Sequence, residues 1–519
     1  MSTARQSMGT GAARPGRPAR RAATQTEWPI ISILIGLLAL LIGASVATMT
    51  TWPNARFTVA CVALIGLLGM VCWTSVRFSL IPPLRLALVV SPFLVLGQIT
   101  LFVDPEVSWG QSGLTVSLVL IVSLMLGLAY LSRRWMGQAR EQIFPRSFSL
   151  ALAALFGWCA LSTIYGASSW KGFCGLWGLA TSVLMCFLIA YYFSDREALR
   201  AGVICIAVVI GLSSVLGILQ YWSDQFKLWN LVAPDLGWSE TLSENTDVTR
   251  VSGLFAASTA FGWCLTTCAP VMLSMLLLRV KGFRPWQRFI LLASAVMSVI
   301  ALVMTYARGG WIAFGASLII LAMLAYRALP IAERGRFTSM MAGACLIVTL
   351  LCLPLSGTIY ERLTEDDRGA AYVRVPLAQV AVEMIENNWL LGVGLNCYES
   401  QMRRYDHTSE SVTDTLPSAV HNLYLYTSAE IGIIGGLLFL LLIASSFRQG
   451  WLVLRKGDPF LSALAIGLMT GLAAYLINGL KEPDWFGGGM MHFCFLFCGL
   501  LIAVNRASQK DSKEMIHQA

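Results

Sequence analysis

The feature that most constrains this chain is a series of apolar runs, each about 20 residues long, which recurs along almost the whole sequence. One such run can cross the hydrocarbon core of a bilayer as a single helix, because the core is about 30 Å thick and an α-helix rises about 1.5 Å per residue. Only 13% of the 519 residues are charged, whereas soluble domains carry about 25%. The sequence therefore predicts an all-α, polytopic membrane protein.

Fourteen apolar runs predict about 12–14 transmembrane helices. The predicted spans share high hydropathy and few charges, and they cover residues 30–48, 57–75, 85–103, 113–131, 147–165, 172–193, 199–220, 252–280, 288–306, 310–329, 337–357, 420–446, 460–480 and 486–505. An even number of spans places both termini on the same side of the membrane. Most of the 37 basic residues lie on that side, and basic residues accumulate in cytoplasmic loops. Both termini are therefore predicted to be cytoplasmic, and the net charge of +9 gives no reason to expect nucleic acid as a partner.

The composition also suggests how the chain is divided. Residues 1–27 are rich in Arg, Ala, Pro and Gly, which predicts a disordered cytoplasmic tail. An amino-terminal transmembrane bundle is predicted for residues 28–220, a second transmembrane domain for 221–505 and a cytoplasmic tail for 506–519. The second domain contains one long outward loop, residues 358–419, in which most of the outward-facing charge is found.

Apolar residues recur at helical spacing within this loop, which predicts a helix over Val375–Asn387. Gly392 and Gly394 follow and predict a turn, because glycine tolerates positive φ. A second, short outward turn carries Lys481, Glu482 and Asp484, which either flank the site or are solvated loop residues, and the solvated interpretation is favoured. The few histidines show no metal-binding spacing, and no metal site is predicted.

Under this topology four basic side chains lie at the outer face beside helix ends, namely Arg250, Arg308, Arg374 and His421. Arg308 stands in a tight hairpin at the membrane boundary, where arginine is disfavoured. It either extends to lipid headgroups or binds an anion, since guanidinium binds phosphate in a fork. The other three have ordinary interpretations as interfacial or helix-end residues. As a cluster, however, they fit a pyrophosphate that is itself attached to a lipid.

Histidine is the side chain best suited to act as a general base near neutral pH, because its ordinary pKa is about 6.5. His421 opens an apolar helix and is the candidate base. Glu430 follows nine residues later, about two and a half helical turns on, so in a regular helix it points away from His421. Glu430 is therefore expected to connect this helix to a neighbour.

Several motifs occur together and in order along the chain. Thr305-Tyr-Ala-Arg308-Gly-Gly-Trp is followed by Arg374, by Leu391-Gly-Val-Gly394, and by His421-Asn-Leu-Tyr-Leu with Glu430-Ile-Gly-Ile-Ile-Gly435. Together with Arg250-Val-Ser-Gly253, they resemble the O-antigen ligase/polymerase family of bacterial inner-membrane proteins. The resemblance covers residues 250–440, and the amino-terminal half matches only as a stack of spans.

The resemblance implies transfer of a glycan from an undecaprenyl-pyrophosphate carrier to a sugar hydroxyl at the periplasmic face, with inversion and without a metal or other cofactor. His421 is expected to act as the base, Arg308 and Arg374 to bind the pyrophosphate, and Arg250 to assist them. Asn422 and Glu430 are expected to support the site.

The favoured function is O-antigen ligation to lipid A–core in the bacterial inner membrane. A polymerase of the same fold, which extends O-antigen or exopolysaccharide on its carrier, is the close alternative, since only the acceptor differs. Protein glycosylation is a third variant. A transporter of lipid-linked glycans is a further alternative. It would require charges near mid-membrane, broken helices and internal repeats, whereas the candidate residues cluster at the outer face.

Overall fold

The computed structural model describes residues 80–518, with gaps at 95–97, 103–112, 138–141, 223–240, 244–245, 256, 354–356, 358–369, 410, 416–418 and 484–488. All of these residues belong to one compact unit, Met70–Ala519. The predicted tail 1–27 and the predicted spans 30–48 and 57–75 lie outside the described residues.

The described part of the chain is overwhelmingly helical. In chain order its helices are α1 Ile81–Val90, α2 Leu118–Trp135, α3 Arg146–Tyr165, α4 Ser169–Tyr192, α5 Arg196–Trp222, α6 Ser258–Leu277, α7 Pro285–Met304, α8 Arg308–Ala328, α9 Ile331–Cys352, α10 Ala370–Asn387, α11 Tyr398–Met402, α12 Val412–Thr415, α13 Leu423–Leu454, α14 Pro459–Asn478 and α15 Gly489–Gln518. Ten of them, namely α2 to α8 and α13 to α15, are long and apolar enough to cross a membrane. The predicted all-α polytopic class is confirmed.

Within the described residues, strands occur only in two short antiparallel hairpins. Strand β1 (Gln98–Leu101) pairs with β2 (Leu114–Ser117), with Gln98 opposite Ser117. Strand β3 (Thr241–Ser243) pairs with β4 (Thr246–Thr249) directly before the segment that leads to α6.

The predicted span 85–103 is wrong. Its described residues belong to α1, to a short 3-10 turn at Ser91–Phe93, and to β1. Pro92 has no N–H with which to continue the helical ladder, and the carbonyl of Leu88, which that N–H would have met, accepts a hydrogen bond from the Ser91 hydroxyl at 2.9 Å. High hydropathy alone did not reveal this helix end.

Two further spans differ from their predicted bounds. The span predicted at 113–131 begins as strand β2, and its helix α2 starts only after Ser117, whose hydroxyl caps it by accepting from Leu120 N at 3.3 Å. The span predicted at 337–357 overlaps α9, which begins six residues earlier, at Ile331, and is not among the ten membrane-length apolar helices.

Helices α6, α14 and α15 form the buried centre of the bundle. The backbones of α6 and α14 approach closely at Gly471, where a methyl group would overlap the carbonyl oxygen of Thr267. Asn478 at the end of α14 donates a hydrogen bond to the Thr266 hydroxyl at 2.8 Å. Small residues and buried polar contacts are the usual means of packing helices within a membrane.

Helix α13 is broken at Ile431 and Gly432, where Gly432 has φ 72° and ψ 169°. The break divides it into an outer segment, Leu423–Glu430, and an inner segment, residues 433–454. The Trp158 indole donates to the Ile431 carbonyl at 2.8 Å, and the Ile433 N–H donates to the Trp389 carbonyl at 2.9 Å. Protein groups thus satisfy the backbone that the break releases, as a membrane environment requires.

The loop of residues 388–398 packs against this break. Gly394 N donates to the Glu430 carbonyl at 3.0 Å, and Val393 N donates to the Ala429 carbonyl at 2.9 Å. Gly392 and Gly394 have φ of 71° and 117°, which confirms the turn predicted there. The predicted helix Val375–Asn387 lies within α10.

Candidate active site

The candidate site lies where α7 ends, α8 begins, α13 begins and α14 ends. A tight turn connects α7 to α8. The Thr305 hydroxyl donates to the Leu302 carbonyl at 2.7 Å and accepts from Ala307 N at 3.3 Å. Tyr306 is fully buried and has φ 52°. Arg308 is therefore the first residue of α8 and is partly exposed at its amino-terminal end.

The same turn holds Arg250. Its guanidinium Nε donates to the Thr305 carbonyl at 3.0 Å, and the following Val251 N donates to the Met304 carbonyl at 3.4 Å. The next residues are fixed by Gln220, whose buried side-chain amide accepts from Gly253 N at 2.8 Å and donates to the Gly253 carbonyl at 2.9 Å. The two arginines, 58 positions apart in sequence, are thus positioned by one short piece of backbone.

The segment that carries His421 is attached to the end of α14. Asn422 caps α13, because its side-chain oxygen accepts from Tyr424 N at 2.9 Å and from Leu425 N at 3.0 Å. The Asn422 amide also donates to the Leu480 carbonyl at 3.1 Å, and Leu423 N donates to the Gly479 carbonyl at 2.7 Å. Asn422 therefore positions its neighbour His421 against the turn after α14.

That turn supplies an acidic neighbour for the imidazole. His421 Nδ1 lies 3.6 Å from Glu482 Oε2, and the two side chains are 23% and 15% exposed. A carboxylate in this position favours the tautomer of the imidazole that carries its N–H at Nδ1.

Lys481 is the second residue of this turn, and its interpretation as a solvated loop residue is wrong. Its side chain is half-buried and lies across Gly309, so that a methyl group on Gly309 would overlap Lys481 Cδ, Cε and Nζ. Burial lowers the pKa of Lys481 to about 8; Glu482 opposes this shift, while the positive charges of Arg374 and Arg250 add to it. Glu482 is largely buried as well, which corrects the same interpretation for that residue.

The structure therefore brings the predicted basic residues to one place. Lys481 lies on the glycine next to Arg308, and Arg374 and Arg250 both act electrostatically on its ammonium group. Glu482, the next residue, reaches His421. Arg374 is exposed near the beginning of α10, and Asp484 lies outside the described residues.

Glu430 is placed away from this cluster. It is fully buried, and its two carboxylate oxygens accept from Asn396 N and Tyr398 N, each at 3.0 Å. It joins the outer segment of α13 to the loop 388–398. This contact agrees with the expectation that Glu430 points away from His421 and connects its helix to a neighbouring element.

Sequence reasoning considered that Lys481 and Glu482 flank the site but favoured a solvated loop. One signal was available: they follow the apolar run of α14 by only three and four residues. So short a connection leaves charged side chains little freedom to reach bulk water. The contact of Lys481 with Gly309 and that of Glu482 with His421 had no signal in the sequence, because both depend on how α8, α13 and α14 pack.

Comparison with known families bears on the reaction class. The family model described as O-Antigen ligase matches residues 293–440, a range that includes Arg308, Arg374 and His421. No curated protein matches the chain. The match supports glycan transfer of the O-antigen ligase or polymerase type in a multi-pass membrane protein. The resemblance to the O-antigen ligase family is thus confirmed across residues 293–440.

Proposed function

We propose that this protein transfers a glycan from an undecaprenyl-pyrophosphate carrier to a sugar hydroxyl at the periplasmic face of the bacterial inner membrane, and that the acceptor is lipid A–core. The observation that carries the proposal is the meeting of four cations, Arg250, Arg308, Arg374 and Lys481, beside an imidazole that faces a carboxylate. The match to the O-antigen ligase family supports the reaction class.

The cations would bind the donor. A pyrophosphate leaving group gains negative charge as the bond to the anomeric carbon breaks, so cations already in place stabilise the transition state more than the ground state. Arg308 and Arg250 are preorganised for this because one turn fixes both. Lys481 adds a fourth positive charge whose position is set by Gly309.

His421 would act on the acceptor. With its N–H at Nδ1 directed at Glu482, the basic nitrogen of the ring is Nε2. Nε2 takes the proton of the acceptor hydroxyl while that oxygen attacks the anomeric carbon and the carrier pyrophosphate leaves with the bonding electrons. One displacement of this kind inverts the anomeric centre. Glu482 stabilises the imidazolium that forms.

The transporter alternative required broken helices, and α13 is broken. The groups released by that break bond to Trp158 and Trp389. We therefore favour an enzyme, and liposomes that move a lipid-linked glycan unchanged would overturn this choice.

The experiment is complementation of a strain that lacks its O-antigen ligase. Wild-type protein should restore lipid A-linked ladders on a gel, whereas His421→Ala should reduce ladder formation by about 10²–10⁴-fold, the usual contribution of a general base. His407→Ala is the matched control, because His407 is exposed in the outward loop. Equal expression of all three proteins is checked by immunoblot. A His421→Ala protein as active as wild type would refute the role of the imidazole.

The acceptor is tested in the native host after deletion of the gene for this protein. Long lipid-linked glycan with bare core in the deletion strain supports ligation. Loss of the lipid-linked polymer itself, restored by the wild-type gene, would instead assign the protein as a polymerase.

A further inference from the structure

A second site lies at the end of the bundle opposite the candidate active site. A cavity of about 1250 Å³ opens between the start of α5, the turn from α6 to α7, α9 and the start of α14. Helices α7 and α14 connect the two ends: each begins at this cavity and ends beside Arg308 or Lys481. Twenty residues of helix separate the sites by about 30 Å.

The lining of this cavity is strongly basic. Its acidic residues are Glu333 and Asp458, and its basic residues are Arg196, Arg200, Arg279, Lys281, Arg288 and Arg336. Arg196 is engaged by acids, since it forms ion pairs with Asp458 at 2.6 Å and with Asp511 at 2.8 Å. Five cations therefore face the cavity against Glu333, which leaves a large excess of positive charge.

The surroundings of Arg200 differ from those expected of a basic residue that membrane topology alone places at this end. Basic residues at this end are expected from the positive-inside rule, but those residues normally extend into water. The Arg200 guanidinium instead lies over the Phe460 ring at 5.1 Å and against Gly282. Its Nε is buried and has no hydrogen-bond partner among the described residues. A desolvated, unpaired guanidinium N–H that borders a cavity indicates a missing acceptor.

The other wall of the cavity is apolar. Leu277, Leu292 and Met340 belong to it, and Leu292 is 54% exposed on the outside of α7. Beside Arg288 on the same helix, Trp286 and Phe289 are also exposed. Aromatic side chains of this kind mark the level of the lipid headgroups. Cations beside an apolar wall at this level fit a ligand with an anionic head and acyl chains.

We propose that this cavity binds an anionic phospholipid. Arg200 and Arg288 hold the phosphate, and the acyl chains lie along the wall formed by Leu277, Leu292 and Met340. The apolar wall is what selects a lipid over free phosphate, because inorganic phosphate would leave this surface exposed. The site is separate from the proposed glycan transfer and does not depend on it.

The test measures lipid binding by the full-length protein in detergent. Native mass spectrometry is used to titrate it with phosphatidylglycerol, phosphatidylcholine or inorganic phosphate. Wild type should bind one phosphatidylglycerol much more tightly than phosphatidylcholine. Arg288→Gln, an exposed position that should fold normally, and Arg200→Gln should each weaken this binding about fivefold, the usual effect of one cation near an anionic lipid. Arg455→Gln is the control, because Arg455 is exposed next to α14 but outside the cavity.

Each remaining outcome would overturn the proposal. Equal binding of phosphatidylglycerol and phosphatidylcholine would show that the cations do not recognise the head. Equal losses in Arg455→Gln and Arg288→Gln would indicate general charge attraction. Displacement of phosphatidylglycerol by inorganic phosphate at comparable concentration would assign the cavity to the free anion.

Discussion

The contact between Gly309 and Lys481 gives the sharpest test of the candidate site, because one methyl group can displace a cation without removing it. The Lys481 side chain occupies the space where a Cβ of residue 309 would stand. Gly309 lies in the first turn of α8, and alanine is a better helix former than glycine by about 1 kcal/mol. Gly309→Ala should therefore leave the helix intact and force the flexible lysine chain to move by about 2 Å to regain ordinary van der Waals separation.

The size of the effect follows from Coulomb's law. At an effective dielectric constant of about 20, two unit charges attract by about 4.2 kcal/mol at 4 Å and by about 2.8 kcal/mol at 6 Å. A displacement of about 2 Å away from the donor phosphate therefore costs about 1.4 kcal/mol of transition-state stabilisation. We expect Gly309→Ala to lower kcat/KM for the lipid-linked donor about tenfold.

The assay is transfer of a labelled lipid-linked glycan by purified protein. Gly310→Ala is the matched control, because its methyl group would meet only Leu302 at 3.3 Å and Ala307 at 3.7 Å. In a Lys481→Ala background, Gly309→Ala should have little further effect, since the displaced group is already absent. The reasoning is refuted if Gly310→Ala causes the same loss, or if Gly309→Ala still lowers the rate tenfold without Lys481.

Three further predictions concern the same region and the loop that supports it. Activity of the wild type should fall as the pH rises through about 8, because burial lowers the pKa of Lys481 to about 8 and the amine then loses its charge; Lys481→Arg should abolish this fall in a pH–rate profile from 7 to 9.5. Glu482→Gln should lower kcat at least tenfold with little change in KM, because the carboxylate supports the imidazole and does not bind the donor; an equal rise in KM would contradict this role. Gly392→Ala should lower the thermal unfolding midpoint by several degrees, because this residue has φ 71° and a methyl group there would overlap the backbone of α13; Gly157→Ala, with nothing within 4 Å of its Cβ, should leave the midpoint unchanged or raise it.

The sequence predicted the helices that are determined by one continuous run of apolar residues. Helices α3, α4, α7 and α8 begin and end within about three residues of the predicted spans, because a bilayer demands long uninterrupted apolar runs. The prediction failed at residues 85–103, where hydropathy is equally high. There the outcome depends on the single missing N–H of Pro92 and on pairing with a strand that lies more than a dozen residues further on.

The candidate site divides in the same way. Unusual residues at helix ends, such as Arg308 and His421, are visible in a sequence because their chemistry conflicts with their surroundings. The burial of Lys481 is not visible, because it is caused by the packing of α8 against α14. The break in α13 at Gly432 was also missed, since isolated glycines are common in membrane helices. A glycine is required at this position only because the backbone of the loop 388–398 packs against it.

The break in α13 also separates the chemistry from the membrane that surrounds it. An unbroken helix from Leu423 to Leu454 would extend about 48 Å, far beyond the hydrocarbon core, whereas the inner segment, residues 433–454, extends about 33 Å. The inner segment alone therefore matches the bilayer, and it can tilt to absorb hydrophobic mismatch. The outer segment, which begins two residues after His421, is fixed instead by Glu430 to the loop and by Leu423 to the end of α14. Its height is thus set by protein contacts, so transfer should proceed at similar rates in membranes of short-chain and long-chain lipids.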